Sequence, residues 1–130
     1  MIEQEFVPYA EALALKELGF DELCFAYYKD MKGKKVLLYD SMDFDGECNT
    51  PLYQQAFRWF REKYGLYSCI MYNSDGIIKG GYSPMIDVMK PHKATLDLNT
   101  YDIYEEAELA SLRRLIEIAN EKHTNSTGIS

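Results

Sequence analysis

The sequence predicts an α+β fold in which three helices accompany an antiparallel sheet of about four strands, in the order α-β-β-α-β-β-α. Three segments have helix-forming composition or a helical spacing of apolar residues: 6–18, 51–64 and 102–121. Between them lie two pairs of short apolar runs, and each pair is joined by a polar segment that contains glycine. Runs joined in this way form β-hairpins, which predicts antiparallel pairing.

Segment 51–64 carries the strongest helical signal. At 100° per residue its apolar side chains share one arc about 100° wide, and these are Tyr53, Ala56, Phe57, Phe60 and Tyr64. Thr50 is expected to cap the helix, Pro51 to occupy its first position and Gly65 to end it. Burial of the four aromatic rings would contribute roughly 1.5–3 kcal/mol each, so we expect this helix to anchor the core.

Segment 6–18 is the first predicted helix. Pro8 lies in its first turn, and strong helix formers follow. Gly19 ends the segment, after which Phe20 can fold back on Leu15 in a Schellman motif. The sequence therefore specifies where this helix stops.

The last predicted helix, 102–121, begins with a capping box formed by Asp102 and Glu105. Its apolar residues cover more than one arc, which predicts contact with two neighbours: a sheet on one side, and a helix or a second subunit on the other. Residues 123–130 are small and polar and are expected to form a disordered tail. We therefore expect a single domain over 1–122.

Four apolar runs are predicted as strands, and these are 23–28, 35–39, 66–72 and 77–82. A turn containing Gly33 joins the first two runs, and a turn at 73–76 joins the last two. Neither of the first two runs alternates polar with apolar residues, so both faces of these strands require cover. Residues 40–49 are expected to form a polar, acidic loop, and 85–89 an additional edge strand.

The composition restricts the classes of function. The chain of 130 residues carries 14 basic and 21 acidic side chains, and the resulting charge of −7 repels phosphate backbones, so nucleic acid is not an expected partner. Three cysteines without a Cys-x-x-Cys pair indicate a reducing, cytoplasmic setting rather than disulfides or a zinc site. The acidic amino terminus does not resemble a signal peptide, and no apolar run is long enough to cross a bilayer.

No motif indicates catalysis, a metal or a cofactor. The loop at 41–47 has the spaced carboxylates of a calcium loop, but Leu52 stands where that loop requires a bidentate glutamate. His92 lies in a predicted loop, and Cys48 lies in the polar loop, where its thiol is expected to be more exposed than those of the two cysteines on predicted strands. Neither residue belongs to a nucleophile or metal-binding motif.

Trp59 is the strongest candidate for a binding residue. It lies about 60° from Ala56, at the margin of the apolar arc, while Arg58 and Arg61 project from the polar side of the same helix. Tryptophan, arginine and tyrosine are the residues that protein interfaces and sites for planar ligands both use, and the chain contains 11 tyrosines. In the simpler interpretation, Trp59 seals the margin of the core and the two arginines pair with surface acids.

Three runs, 6–22, 51–64 and 104–110, carry a resemblance to known proteins, and the most specific part is Gln-Ala-Phe-Arg-Trp-Phe-Arg-Glu-Lys from Gln55 to Lys63. Together they resemble a group of small uncharacterised proteins encoded by gut Bacteroidales and by their phages and prophages. This group usually has Thr or Ser before Tyr-Glu-Glu-Ala, where this sequence has Ile103. The resemblance covers less than half of the chain. It implies an accessory role for a phage or mobile element in the bacterial cytoplasm, and it brings no catalytic residue.

Three hypotheses for function follow. The first is a non-catalytic homodimer that binds a host or phage protein through an aromatic surface near Trp59 or on the last helix, with dimerisation expected from that helix's wide apolar surface. The second is a protein that sequesters a small planar or anionic molecule, such as a nucleotide, between aromatic rings and Arg58 or Arg61. The third is a small enzyme that uses His92 or Cys48.

Overall fold

The computed structural model describes residues 2–39, 48–73, 80–88, 93–96 and 99–128. Within these ranges the helices are α1 (Tyr9–Glu17), α2 (Tyr53–Tyr64) and α3 (Tyr104–Gly128), and a short 3-10 helix spans Ile2–Glu5. The strands are β1 (Ala26–Met31), β2 (Lys34–Leu38), β3 (Cys48–Thr50), β4 (Leu66–Asn73), β5 (Gly81–Val88) and β6 (Lys93–Leu96). They form two antiparallel sheets, ordered β2-β1-β3 and β4-β5-β6. The α+β class with antiparallel pairing is confirmed, and the strands are divided between two sheets.

The chain divides into two compact units, Met1–Ala56 and Phe57–Ser130. The first unit contains α1 and the sheet β2-β1-β3, and the second contains the sheet β4-β5-β6 and α3. Helix α2 begins in the first unit and ends in the second. The single domain over 1–122 stays a prediction.

The hairpin between β1 and β2 is confirmed and closes with a two-residue turn. Met31 pairs with Lys34, and between them Lys32 and Gly33 have φ values of 54° and 83°. Positive φ at both central positions is what a type I′ turn requires, and its twist matches that of the flanking strands. The Asp30 carboxylate accepts a hydrogen bond from the Gly33 N–H at 3.0 Å, which fixes the turn further.

Helix α1 begins after Pro8, later than the sequence predicts. The residue before a proline is restricted to extended conformations, so Val7 cannot be helical. Instead, the Val7 N–H donates to the Pro51 carbonyl at 3.0 Å, and Phe6 pairs with Leu52 in an isolated antiparallel bridge. The segment predicted as the first turn of a helix thus adds extended backbone to the first unit.

The carboxyl end of α1 is the predicted Schellman motif. The Phe20 N–H donates to the Leu15 carbonyl at 2.9 Å, and the Gly19 N–H donates to the Lys16 carbonyl at 3.0 Å. Gly19 has a φ of 102°, a conformation that side-chain-bearing residues rarely adopt. Leu15 and Phe20 are both buried, so the same motif that ends the helix supplies two residues to the core of the first unit.

Strand β3 lies where the sequence predicts the end of a polar loop. It pairs with β1, which places Cys48 opposite Tyr28. Thr50 is buried in this strand, and its hydroxyl donates to the Val7 carbonyl. The predictions that Thr50 caps α2 and that Pro51 is its first residue are wrong, because α2 begins at Tyr53 and Thr50 belongs to β3. The rest of the predicted loop, residues 40–47, lies outside the described residues.

Helix α2 turns its central aromatic residues inward. Tyr53 and Phe60 are buried, whereas Phe57 and Tyr64 are half-buried. Gly65 follows the helix with a φ of 66°, which confirms the predicted left-handed stop. Of the four aromatic rings that the sequence predicts to be buried, two are therefore fully buried and two are partly exposed.

In the second unit, β4 and β5 pair along their whole length. The sequence divides this return strand between a run at 77–82 and an edge strand at 85–89, whereas β5 is one strand that begins at Gly81 and ends at Val88. Residues 74–79 lie outside the described residues.

Gly81 explains where β5 begins. Tyr82 and Tyr101 form an isolated bridge, and their backbones exchange hydrogen bonds of 2.8 and 2.9 Å. A Cβ atom on Gly81 would overlap the Thr100 side chain and approach the Tyr101 carbonyl oxygen closely. Glycine at this position therefore permits the segment before α3 to lie against the strand.

Helix α3 packs against β4 and β5 and covers one face of the second sheet. Its buried residues are Ala107, Ser111, Leu112, Leu115, Ile116, Ile118 and Ala119. The helix continues to Gly128, beyond the predicted end near residue 121 and through most of the segment predicted as a tail. No glycine or proline occurs between Tyr104 and Gly128, so no strong helix breaker interrupts it earlier.

Candidate interaction surface

The predicted binding residue Trp59 is buried, with 6% of its surface exposed. Its ring meets Phe60 edge-on at 5.1 Å between centroids and Tyr64 at 5.6 Å. Arg58 and Arg61 are exposed, so the three predicted site residues do not form one exposed aromatic and cationic surface. The geometry around Trp59 is that of a ring sealing a core, and a role of the two arginines in binding stays a prediction.

The candidate nucleophile Cys48 is buried in β3. Burial raises the pKa of its thiol, although Lys16 and Lys35 act in the opposite direction. A thiol that keeps its proton is a weak nucleophile. The expectation that Cys48 is the most exposed cysteine is wrong: it pairs within a sheet, while Cys24 is half-buried and Cys69 is exposed.

The other residue of the enzymatic hypothesis, His92, lies outside the described residues. Among the residues that are described, no group of three or more His, Cys, Asp or Glu side chains is placed to hold a metal ion. Over the same part of the chain, no helix combines the length and apolar composition needed to cross a membrane.

The face of the sheet β4-β5-β6 that lies opposite α3 is exposed along β4. Because strand side chains alternate between faces, β4 turns Leu66 into the core and Tyr67, Cys69 and Met71 to the opposite side. All three of these side chains are exposed, Tyr67 to 42% and Met71 to 47%. Met85 lies opposite Cys69 on β5 and is half-buried. We call these four residues, together with Ser83 and Asp87 on β5, the open face.

Strand β4 also forms an edge of its sheet. The order β4-β5-β6 leaves β5 as its only strand partner in the described part of the chain. Its eight residues, Leu-Tyr-Ser-Cys-Ile-Met-Tyr-Asn, include no charged residue and no proline. Proteins usually protect an exposed edge with lysine, proline, a bulge or a short strand. β4 has neither lysine nor proline and is long, so it lacks the usual protection against pairing with another strand.

Three tyrosine rings pack together at one end of the sheet, on the face opposite the open face, because Tyr72 alternates with Met71 along β4 and Tyr82 lies opposite Tyr72 on β5. Tyr72, 61% exposed, meets Tyr82 across the strands at 5.2 Å, and Tyr82 meets Tyr104 of α3 edge-on at 5.6 Å. A Cβ atom on Gly80 would overlap the Tyr72 ring, so glycine permits the ring to lie over the backbone. Partly exposed, mutually packed tyrosines are typical of protein interfaces.

The first unit has its own exposed apolar segment before β1. Leu23 and Phe25 are 81% and 67% exposed, in a region that the sequence predicts as the start of a strand. Gln55 holds this segment, because its side-chain amide donates to the Leu23 carbonyl at 2.8 Å and to the Glu22 carboxylate at 3.3 Å. β1 begins only at Ala26.

The open face and the edge of β4 offer backbone pairing groups and mostly apolar side chains, together with the exposed thiol of Cys69. Methionine adapts its shape to a partner and is common at binding surfaces, and Met71 and Met85 lie on this face. The sequence signal for the site is the absence of charge from residues 66–73. Periodicity could not reveal the open face, because apolar residues occupy both faces of the strand.

Comparisons of this chain with models of protein families, with curated proteins and with solved structures gave no match.

Proposed function

We propose that this chain is a non-catalytic binding protein that engages a protein partner through β4 and the open face beside it. The carrying observation is that Tyr67, Cys69 and Met71 are exposed together on an uncharged edge strand. The resemblance to proteins of gut Bacteroidales phages and prophages supports placing this activity in the bacterial cytoplasm, as an accessory function of a phage or mobile element.

A protein partner suits this surface better than a small molecule does. Small ligands are bound in concave sites that cover most of their surface. A sheet face with an exposed edge instead suits an extended segment or a second sheet, which can satisfy the backbone groups and cover the apolar side chains. The interface chemistry is also appropriate, because tyrosine and methionine are enriched at protein interfaces and lysine and glutamate are depleted.

The hypothesis of a sequestered planar or anionic ligand gains no support from α2. It requires an aromatic ring beside Arg58 or Arg61, and Trp59, the ring that the sequence singled out for binding, is buried against Phe60 and Tyr64. The enzymatic hypothesis likewise gains none from Cys48, whose thiol is buried.

The test is affinity capture from a gut Bacteroidales lysate followed by mass spectrometry, with two matched variants. In the first variant, Tyr67→Lys and Met71→Lys place charges on the open face. In the second, Arg58→Glu and Arg61→Glu change the exposed side of α2. Circular dichroism and thermal melting confirm that both variants fold.

Loss of one specific partner in the open-face variant, with retention in the α2 variant, is the expected result. The reverse pattern would move the binding site to Arg58 and Arg61 and contradict the proposal. Equal capture by both variants and the wild type would remove both surfaces from consideration.

A further inference from the structure

We infer that the occupant of the β4 edge is a second copy of this chain, whose β4 pairs antiparallel with the first across a two-fold axis. The inference rests on the proposed function, because it assigns the partner at the same strand. The sheet β4-β5-β6 of one copy and the same sheet of the second copy would then form one continuous sheet of six strands.

The backbone of β4 supplies the pairing groups. In an antiparallel ladder, alternate residues direct their N–H and C=O groups toward one neighbour and the others direct theirs away. With β5 on one side, every second residue of the eight-residue strand presents its N–H and C=O on the free side. A second β4 strand offers the same pattern in the opposite direction, which is the self-complementarity that a two-fold interface requires.

Charge favours a second copy at this position. The chain carries a net charge of −7, so two copies experience a net repulsion that a charged interface would add to. β4 contains no charged residue, and therefore no antiparallel register of two β4 strands places like charges opposite each other. The edge is thus the part of the second sheet at which self-association meets the least repulsion.

The pleat restricts the register. Residues directly opposite in an antiparallel pair lie on the same face, so the two-fold axis must pass through a residue rather than between two residues. Near the middle of the strand this leaves Cys69 or Ile70. Centring on Cys69 places Tyr67 opposite Met71 of the second copy, an aromatic–thioether pair on the open face. Centring on Ile70 would place Tyr67 opposite the polar Asn73, so we assign the axis to Cys69.

The first test is the mass of the chain in solution, measured by light scattering across micromolar concentrations. Wild type should have twice the mass of one chain. Cys69→Lys places two ammonium groups opposite each other and should raise the dissociation constant of the dimer at least about tenfold. Met71→Lys, at a second exposed position of the strand, should act in the same direction if Cys69→Lys does not fold.

Met85→Lys is the matched control. Met85 lies on the open face opposite Cys69, but on the central strand rather than on the edge. The dimer should persist in this variant if the strands pair edge to edge. Dissociation by Met85→Lys with persistence in Cys69→Lys would show that two open faces stack, and would overturn edge pairing.

Oxidative cross-linking tests the register. Diamide, which accepts two electrons and two protons from a pair of thiols, should link the two Cys69 residues of the wild-type dimer, and Cys69→Ser should abolish the link. In the Cys69→Ser background, Ile70→Cys should not cross-link. A cross-link through position 70 and none through Cys69 would overturn the assigned axis.

Failure of the inference is distinguishable from failure of the proposed function. A monomeric wild-type chain overturns self-pairing. If the same monomer still captures a specific partner that Tyr67→Lys with Met71→Lys releases, the open face binds another protein. If neither dimer nor capture depends on β4, both proposals fail.

Discussion

The edge strands of the two sheets differ in how they are protected against pairing with another chain. Edge strand β2 carries Lys34 and Lys35, both exposed, and the Lys35 ammonium lies 3.8 Å from the Asp30 carboxylate and 5.2 Å from the centroid of the Tyr9 ring. The opposite edge, β3, has only three residues. Edge strand β4 has eight residues and no charge.

The edge strands therefore differ in whether they are protected against pairing with another chain. Lysine on an edge strand blocks pairing with another chain, because pairing would bury or oppose the charge. The first sheet therefore uses the ordinary protection of a sheet that ends at solvent. Strand β4 of the second sheet lacks this protection over eight residues, and the proposed pairing of β4 rests on that difference.

The largest predicted change in stability compares the two faces of the second sheet. Ile86 and Met85 are neighbours on β5, but Ile86 is buried on the face covered by α3 and Met85 lies on the open face. Ile86→Ala should lower the free energy of unfolding by about 2–5 kcal/mol, because it removes buried methyl groups and leaves a cavity. Met85→Ala should lower it by less than about 1 kcal/mol. Urea unfolding measures both.

Equal losses for the two variants would contradict the assignment of the open face. They would mean that Met85 is covered as completely as Ile86, and the comparison between a protected and an unprotected sheet would lose its basis. The measurement belongs at a concentration below that at which wild type associates, so that dimerisation does not add to the cost of Met85→Ala.

Substituting one glycine in each sheet tests why glycine is required there. In the second sheet, Gly81→Ala should lower the unfolding free energy by about 1–3 kcal/mol, because the added methyl overlaps the Thr100 side chain. In the first sheet, Gly33→Ala should cost roughly 1–2 kcal/mol through its positive φ, since no neighbouring atom lies within 4 Å of the new methyl. Thermal or urea unfolding gives both values.

The companion change Thr100→Ser distinguishes the steric overlap at Gly81 from the backbone strain at Gly33. It removes the methyl group that Gly81→Ala meets, and keeps a hydroxyl for the 3.3 Å hydrogen bond with Ser83. It should recover part of the loss in Gly81→Ala and none of the loss in Gly33→Ala. Recovery in both, or in neither, would argue against a steric cause at Gly81.

Alkaline pH should weaken the first unit through its thiols. Burial raises the pKa of Cys24 from 9.0 to about 12, and the carboxylate of Glu22 acts in the same direction. Burial also raises the pKa of Cys48. These thiols keep their protons in the folded chain at pH values where the unfolded chain loses them. Their contribution to stability is therefore complete below the unfolded pKa and is lost as pH rises through the folded values.

The free energy of unfolding should accordingly fall above about pH 9, by less than about 1.4 kcal/mol per pH unit for Cys24, because this half-buried thiol is partly screened by solvent. Urea unfolding under a non-thiol reductant at several alkaline pH values measures the slope. Cys24→Ala should flatten it. An unchanged slope in Cys24→Ala and in Cys48→Ala would show that these thiols are hydrated in the folded chain.

Features that depend on neighbours in the chain could be predicted from the sequence. The Schellman end of α1 at Gly19, the hairpin turn at Gly33 and the stop at Gly65 each follow from residues within one turn of backbone. The role of Thr50 could not be predicted, because it depends on a hydrogen bond between residues 43 positions apart. Local rules contain no information about such a contact.

The candidate site was less predictable than the fold, for a related reason. The offset of about 60° between Trp59 and Ala56 is compatible with a ring at the surface or inside, and only the surrounding Phe60 and Tyr64 decide for burial. On β4, apolar residues occupy both faces, so periodicity cannot tell which face α3 covers. What the sequence does show is the absence of charge from β4, and that feature is the basis of the proposed interface.

The smallest predicted effect is a gain in stability on the face of the second sheet that α3 covers. Ser111 of α3 is buried, and its hydroxyl has no hydrogen-bond partner among the described residues. Ser111→Ala removes an unsatisfied polar group and improves helix propensity, so it should raise the unfolding free energy by about 0.5–1 kcal/mol. Ser83→Ala, on the open face, loses the hydrogen bond with Thr100 and should not be stabilising. A destabilised Ser111→Ala would mean that a partner, such as a buried water, satisfies this hydroxyl in solution.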